Sequence, residues 1–301
     1  MSLTSHLDDS SSPIGQYIKQ HFAHTKVLTS VVNQQLKQAV TLLPAQKEKS
    51  PYPYATLGTV IDYRLRYAFD ITPYEQLVAW LGARMLVRNR YSVTLLKTFF
   101  DTLDITVRAM QPVGRLLSTE DERLLCRYCY VLSLFEQVFR TSHENVVRSS
   151  PLFVPSIKRN VNDLLAIPQD VCLDDVAAVF HLFYERHNAL LSKPHNLNPV
   201  FAGSLDVGGA DGDLIVDGCL IDIKATISPK LAANHLFQLA GYLLLDYDDA
   251  LHITSVGIYM ARQGMLFTWP VDDFVKQLTG DEHIKMEMLR KEFQEKFGRR
   301  R

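Results

Sequence analysis

Apolar residues recur every three or four positions over most of the chain up to about residue 195, and beyond Phe201 the pattern turns to alternation. The first spacing reads as helix and the second as strand. Residues 13–43 read helical through Ile14, Tyr17, Ile18, Phe22, Val27, Leu28, Val31 and Val32, punctuated by Pro44 and the polar run to Pro51. A helix from about Leu57 to Phe69 follows. Another is expected after Thr72-Pro73, where Thr caps and Pro suits the first turn, reaching about Val87. Helical patterns continue over 91–109, from Ser118 to about Arg140 with Asp121 three residues on, and from Val176 to Leu191. No internal repeat stands out.

The alternating segments are Val200–Val207, Leu214–Val216, Cys219–Ala225, His252–Ala261 and Met265–Trp269. A helix over Leu231–Leu245 interrupts them, and helices near Asp272 and over Asp281–Phe297 close the chain before Gly298-Arg-Arg-Arg301. The whole predicts an α+β fold, an α/β core of about four strands flanked by helices with a large helical addition ahead of it.

One short run carries most of the chemistry. Residues 211–224 read as two strands joined at Asp217-Gly218, a pair that tolerates the positive φ of a tight hairpin turn. On the second strand Leu220, Asp222 and Lys224 share one face, while Ile221 and Ile223 share the other. If the hairpin closes over Asp217-Gly218, Asp213 comes near Asp222. Two carboxylates and a lysine then converge in apolar surroundings, an arrangement a divalent cation relieves. On the helix that follows, Gln238 and Tyr242 stand four apart on one face, polar in an otherwise apolar segment.

In these residues the chain resembles the PD-(D/E)XK nuclease superfamily, in its RecB-like branch with a Gln-x-x-x-Tyr helix. The resemblance covers residues 200–270, with 50–70 as an extension. It implies that Asp213 and Asp222 are the two metal-binding acids, that Lys224 is the lysine, and that Gln238 and Tyr242 form the helix pair. The proline usual before the first acid is Gly212 here. Asp211 is a rival for the first acid. Asp62, in Gly58-Thr-Val-Ile-Asp62, is the expected upstream acid in place of a histidine, with Glu185 as its competitor. The resemblance divides the chain into an N-terminal helical segment 1–49, a first core helix 50–70, a helical insertion or subdomain 71–195, and a nuclease core 196–301 with a restriction-endonuclease-like sheet.

The function this implies is Mg²⁺-dependent (or Mn²⁺-dependent) hydrolysis of phosphodiester bonds in DNA, of the kind used in phage defence, restriction or repair. Mg²⁺ would be held by Asp213, Asp222 and the carbonyl of Ile223. Two alternatives stay open: an RNA-directed nuclease, and a catalytically silent regulator that binds nucleic acid or protein on the same scaffold. The helical region is where a protein partner or a second copy would bind.

Composition limits this picture without deciding it. The 301 residues are 47% hydrophobic with a formal net charge of −1, which suits a large core and excludes a general nucleic-acid coat. A local groove of basic residues suffices to hold phosphates, and the candidates are Arg84, Arg88, Arg90, Lys158, Arg159, Lys230 and Arg262. No apolar run approaches the roughly 18–20 residues of a membrane span. The N-terminal stretch has neither a basic start nor an apolar signal core, so a cytoplasmic protein with a short disordered start is expected. Cys126, Cys129, Cys172 and Cys219 read as buried reduced thiols rather than metal ligands, since Cys126-Arg-Tyr-Cys129 lies in a helical stretch with no second such pair.

Overall fold

The change of periodicity near residue 195 coincides with a structural boundary. The computed structural model describes residues 2–45, 52–87, 91–141, 150–154 and 160–299. They divide into two units: one of residues 1–41 with 193–301, the other of residues 42–192. The chain thus enters the first unit, leaves it for the second and returns. This division differs from the expected one in two respects. The N-terminal segment belongs with the sheet, and the 50–70 helix belongs with the other helices.

The sheet unit opens with α1 (Leu3–Asp8), where a disordered start was expected. Two apolar residues are too few to show a period, yet Leu3 and Leu7 are both buried. The Ser2 side chain caps the first turn by accepting from Ser5 N, and Leu3 N donates to Gly209 O at 3.1 Å. The expected 13–43 helix is two, α2 (Pro13–His21) and α3 (Lys26–Leu36). The break falls where His24 N donates to Leu278 O at 3.0 Å, a tertiary bond no local pattern reveals.

Five strands follow: β1 (His195–Leu197), β2 (Leu214–Val216), β3 (Cys219–Lys224), β4 (Ser255–Met260) and β5 (Met265–Pro270). They form one mixed sheet in the order β1-β2-β3-β4-β5, antiparallel except for the parallel pair β3–β4. The sheet therefore has five strands rather than about four. The expected Val200–Val207 strand is instead one bridge, Val200 with Asp211, and a short 3-10 turn over Ser204–Val207. Gly208 and Gly209, at φ 72° and 123°, turn the chain there, and Ser204 Oγ accepts from Ala210 N at 2.8 Å.

The crossover between the parallel strands β3 and β4 carries a helix, α10 (Ala233–Leu245), six described helices of the other unit coming between it and α3 in the chain. It is buried on almost every side from Leu236 to Leu245. One side packs on the sheet core of Leu220, Val256, Ile258 and Met260, and α1 and α2 cover the other. Gly241 permits that cover, because a Cβ there would stand 2.9 Å from the Leu3 side chain. α11 (Val271–Thr279) and α12 (Met286–Phe297) complete the unit; α12 begins five residues later than the pattern from Asp281 suggested.

The other unit is helical: α4 (Tyr54–Phe69), α5 (Val78–Leu86), α6 (Val93–Met110), α7 (Thr119–Arg140), α8 (Val161–Leu165) and α9 (Asp170–His187). Ser118 caps α7 as expected, accepting from Asp121 N at 3.2 Å. Thr72-Pro73 leads only into a 3-10 turn, Tyr74–Gln76, because Leu77 is extended (ψ 139°) and delays α5. α4 is buried along nearly its whole length and packs on α7 and α9. Its charges are paired inside: Arg64 forks onto Glu122 (Nε–Oε1 2.6 Å, Nη2–Oε2 2.7 Å) and lies 3.4 Å over the Phe180 ring. Among the described residues, no helix is long and apolar enough to cross a membrane.

Candidate functional site

Asp217 and Gly218 both have positive φ, 50° and 76°, as the mirror-image two-residue hairpin turn requires. That turn fixes the register, pairing Val216 with Cys219 and Leu214 with Ile221. The next step of the same register sets Asp213 opposite Asp222. There the ladder gives way to a side chain, and Asp213 Oδ2 accepts from Ile223 N at 2.6 Å. Gly212, where the nuclease pattern has proline, donates its N–H to Pro199 O at 2.9 Å, a bond proline would forfeit.

On β3 the alternation falls as expected. Leu220 and Asp222 are buried toward α10, and the Lys224 side chain is 20% exposed. From Asp222 a chain of contacts runs across to α10. Lys224 Nζ lies 2.7 Å from Asp222 Oδ2 and donates to Gln238 Oε1 at 2.8 Å; Gln238 Nε2 donates to the Tyr242 hydroxyl at 2.7 Å. The Phe201 ring stacks on Tyr242, with centroids 5.0 Å apart and planes 13° from parallel. Five of the expected residues, Asp213, Asp222, Lys224, Gln238 and Tyr242, are thus gathered at the end of β3 beside α10. Open α/β sheets present ligands at the carboxyl ends of parallel strands, and this cluster is at such an end.

The electrostatics follow from crowding. Burial disfavours the Lys224 ammonium, but the charge and contact of Asp222, with Asp213 behind, outweigh it and raise the lysine pKa. Burial, then Asp222 and Asp213, push the Tyr242 phenol far above its ordinary value. Asp222 is only 2% exposed, and its Oδ2 has the Lys224 ion pair but no hydrogen bond of acceptable angle among the described residues. A buried carboxylate oxygen without an aligned donor fits a hard cation. Among the described residues no group of three His, Cys, Asp or Glu side chains stands at metal-binding spacing. A Mg²⁺ ion held by two carboxylates, a backbone carbonyl and water does not require one.

His235 was missed by sequence reasoning. It precedes Gln238 by three residues and Tyr242 by seven, so all three lie on one stripe of α10. That spacing was the signal. Its Nδ1 accepts from Ala232 N at 3.4 Å, the half of a capping box in which the third helical residue reaches back. Burial and the nearby Lys224 charge lower its pKa to about 4, against the pull of Asp222, so the imidazole is neutral at pH 7.

The other expected residues belong to other elements. Asp62 is in the helical unit, on α4, where Arg66 Nε donates to its Oδ1 at 2.9 Å and Arg66 Nη2 to its Oδ2. Both carboxylate oxygens are committed within one helix. Glu185 is an exposed residue of α9 in the same unit. Of the basic residues, Arg84 and Lys230 are exposed. Arg262 is not a groove residue: it is 1% exposed, and its Nε donates to Ala225 O at 2.9 Å. Arg88, Arg90, Lys158 and Arg159 lie outside the described residues, as do Arg300 and Arg301. Cys126, Cys129 and Cys172 are buried and Cys219 half-buried, all four free, each with its thiol pKa raised chiefly by burial.

The chain matches no protein-family model, no curated protein and no solved structure.

Proposed function

We propose that this protein is a metal-dependent nuclease that hydrolyses phosphodiester bonds of DNA at the end of β3. The observation that carries the reading is the unbroken line from Asp222 through Lys224 and Gln238 to Tyr242, with Asp213 set opposite Asp222 by the hairpin. Cleaving a phosphodiester requires an activated water, relief of the charge that builds on phosphorus, and help for the departing oxygen.

Asp213, Asp222 and the Ile223 carbonyl are the oxygen donors that would hold Mg²⁺ or Mn²⁺, with Asp222 Oδ2 buried and without a hydrogen bond among the described residues. When bound, the ion supplies Lewis acidity, lowering the pKa of water and drawing charge from phosphate oxygens. Lys224, kept cationic by the two acids, offsets the negative charge of the phosphate as it develops. Gln238 fixes the lysine by accepting from Nζ, and Tyr242 fixes the Gln238 amide by accepting from Nε2. The chain of bonds leaves the ammonium little freedom, which is what charge stabilisation requires of a donor.

The test is cleavage of linear, closed-circular and single-stranded DNA, and of RNA, each with Mg²⁺, Mn²⁺, Ca²⁺ or chelator. Cutting of DNA in Mg²⁺ or Mn²⁺, little in Ca²⁺ and none in chelator is the expected result. An Asp222→Ala protein that cuts as fast as wild type would defeat the assignment. Absence of cutting on every substrate, with tight DNA or protein binding retained, would favour a silent regulator. A preference for RNA would change the substrate and keep the chemistry. Phage defence, restriction and repair are the settings in which such an activity would serve.

A further inference from the structure

The polar stripe of α10 continues beyond the two residues that tie it to Lys224. His235, Gln238 and Tyr242 follow one another at three- and four-residue steps along the same face. Burial deepens along it, from the half-buried His235 and Gln238 to Tyr242, which is 5% exposed. His235 therefore stands at the rim of the candidate site and Tyr242 at its base.

The tautomer of His235 is set by its neighbour. Ala232 N–H donates to Nδ1, so Nδ1 is the acceptor and the ring proton resides on Nε2. A proton on Nε2 makes that atom a donor and disqualifies it as a metal ligand. Among the described residues Nε2 has no hydrogen-bond partner. A neutral N–H donor at the rim, near Lys224 and Asp222, is suited to an anionic oxygen.

We infer that His235 is a substrate-contacting residue of this site, donating its Nε2–H to a phosphate oxygen of the nucleic-acid strand. The inference rests on the nuclease reading and adds to it the group that seats the strand at the rim. Lys224 acts deeper, on the phosphate that is cut. The expected consequence is a weakened hold on substrate when the donor is lost, with KM rising more than kcat falls.

Two substitutions separate this role from helix capping. His235→Gln retains a donor at the position of Nε2 and gives up the acceptor at Nδ1. His235→Asn retains an acceptor near Nδ1 and gives up the distal donor. The experiment measures binding of a fluorescein-labelled DNA duplex to the full-length protein in Ca²⁺, and then KM and kcat in Mg²⁺. The inference expects His235→Gln to bind within about threefold of wild type and His235→Asn to bind about tenfold more weakly, the scale of one hydrogen bond to a charged group. The reverse order, with Asn restoring and Gln failing, would assign His235 to capping alone and overturn it. Wild-type binding and KM in both variants would overturn it as well, leaving the nuclease reading intact if wild type cleaves. A wild-type protein that neither binds nor cleaves the duplex would remove both.

Discussion

Each unit buries an acid beside a base, and the two pairs are built differently. In the helical unit, Arg64 and Glu122 meet from different helices as a two-point fork, 2.6 and 2.7 Å, with both glutamate oxygens engaged. In the sheet unit, Asp222 and Lys224 come from one strand two residues apart, touch at 2.7 Å, and leave Asp222 Oδ2 without an aligned hydrogen bond. The first pair is closed on the acid side and joins two helices, with Arg64 Nη1 the atom left without a hydrogen bond among the described residues. The second is open on the acid side and tied on the base side to Gln238, so it has capacity for another charge. Buried pairs are weak evidence for stability, and the manner of their satisfaction distinguishes a strut from a site.

The largest effect should come from breaking the closed pair. Glu122→Ala leaves the Arg64 guanidinium, 0% exposed, without its anion, and should cost about 3–5 kcal/mol in urea unfolding. A loss below about 1 kcal/mol, the range of exposed pairs, would mean that this buried pair is no strut.

Asp222→Ala should behave in the opposite way. Cleavage should fall by at least about a hundredfold, since losing even an outer partner of a metal ligand reaches that scale. Stability should change less than for Glu122→Ala, because the substitution also removes one of two facing carboxylates. Equal unfolding losses in the two variants, with cleavage intact, would mean that both pairs are struts.

A smaller effect sharpens the geometry. Gly218→Ala puts a side chain at φ +76° and a Cβ 2.8 Å from Thr254 Oγ1. It should cost about 1–2 kcal/mol and reduce cleavage by disturbing the register that sets Asp213 opposite Asp222. A variant with wild-type stability and rate would show that the turn does not position the acids.

The hairpin was legible in the sequence because strand chemistry is local. Asp217-Gly218 names its turn, alternation names the face of Asp222 and Lys224, and a four-residue step names Gln238 and Tyr242. What escaped depended on distant contacts. The fold of α1 rests on Leu3 meeting Gly241, more than two hundred residues away, and the break between α2 and α3 on a bond from His24 to Leu278. β1, only three residues long, gave too short a pattern to read, and glycines converted the expected 200–207 strand into a turn. Asp62 carries two spacings at once: it stands four residues after Gly58, which suggested chemistry, and four before Arg66, with which its carboxylate is paired. His235 carried a readable spacing, hidden by the apolar residues around it.

The most direct measurement is a crystal of the protein soaked in Mn²⁺ and examined for anomalous scattering. The account predicts one strong peak coordinated by the carboxylates of Asp213 and Asp222, absent in Asp222→Ala crystals. Mn²⁺ at saturating concentration with no peak at those oxygens, or with Asp222 still paired to Lys224 and metal bound only elsewhere, would contradict it.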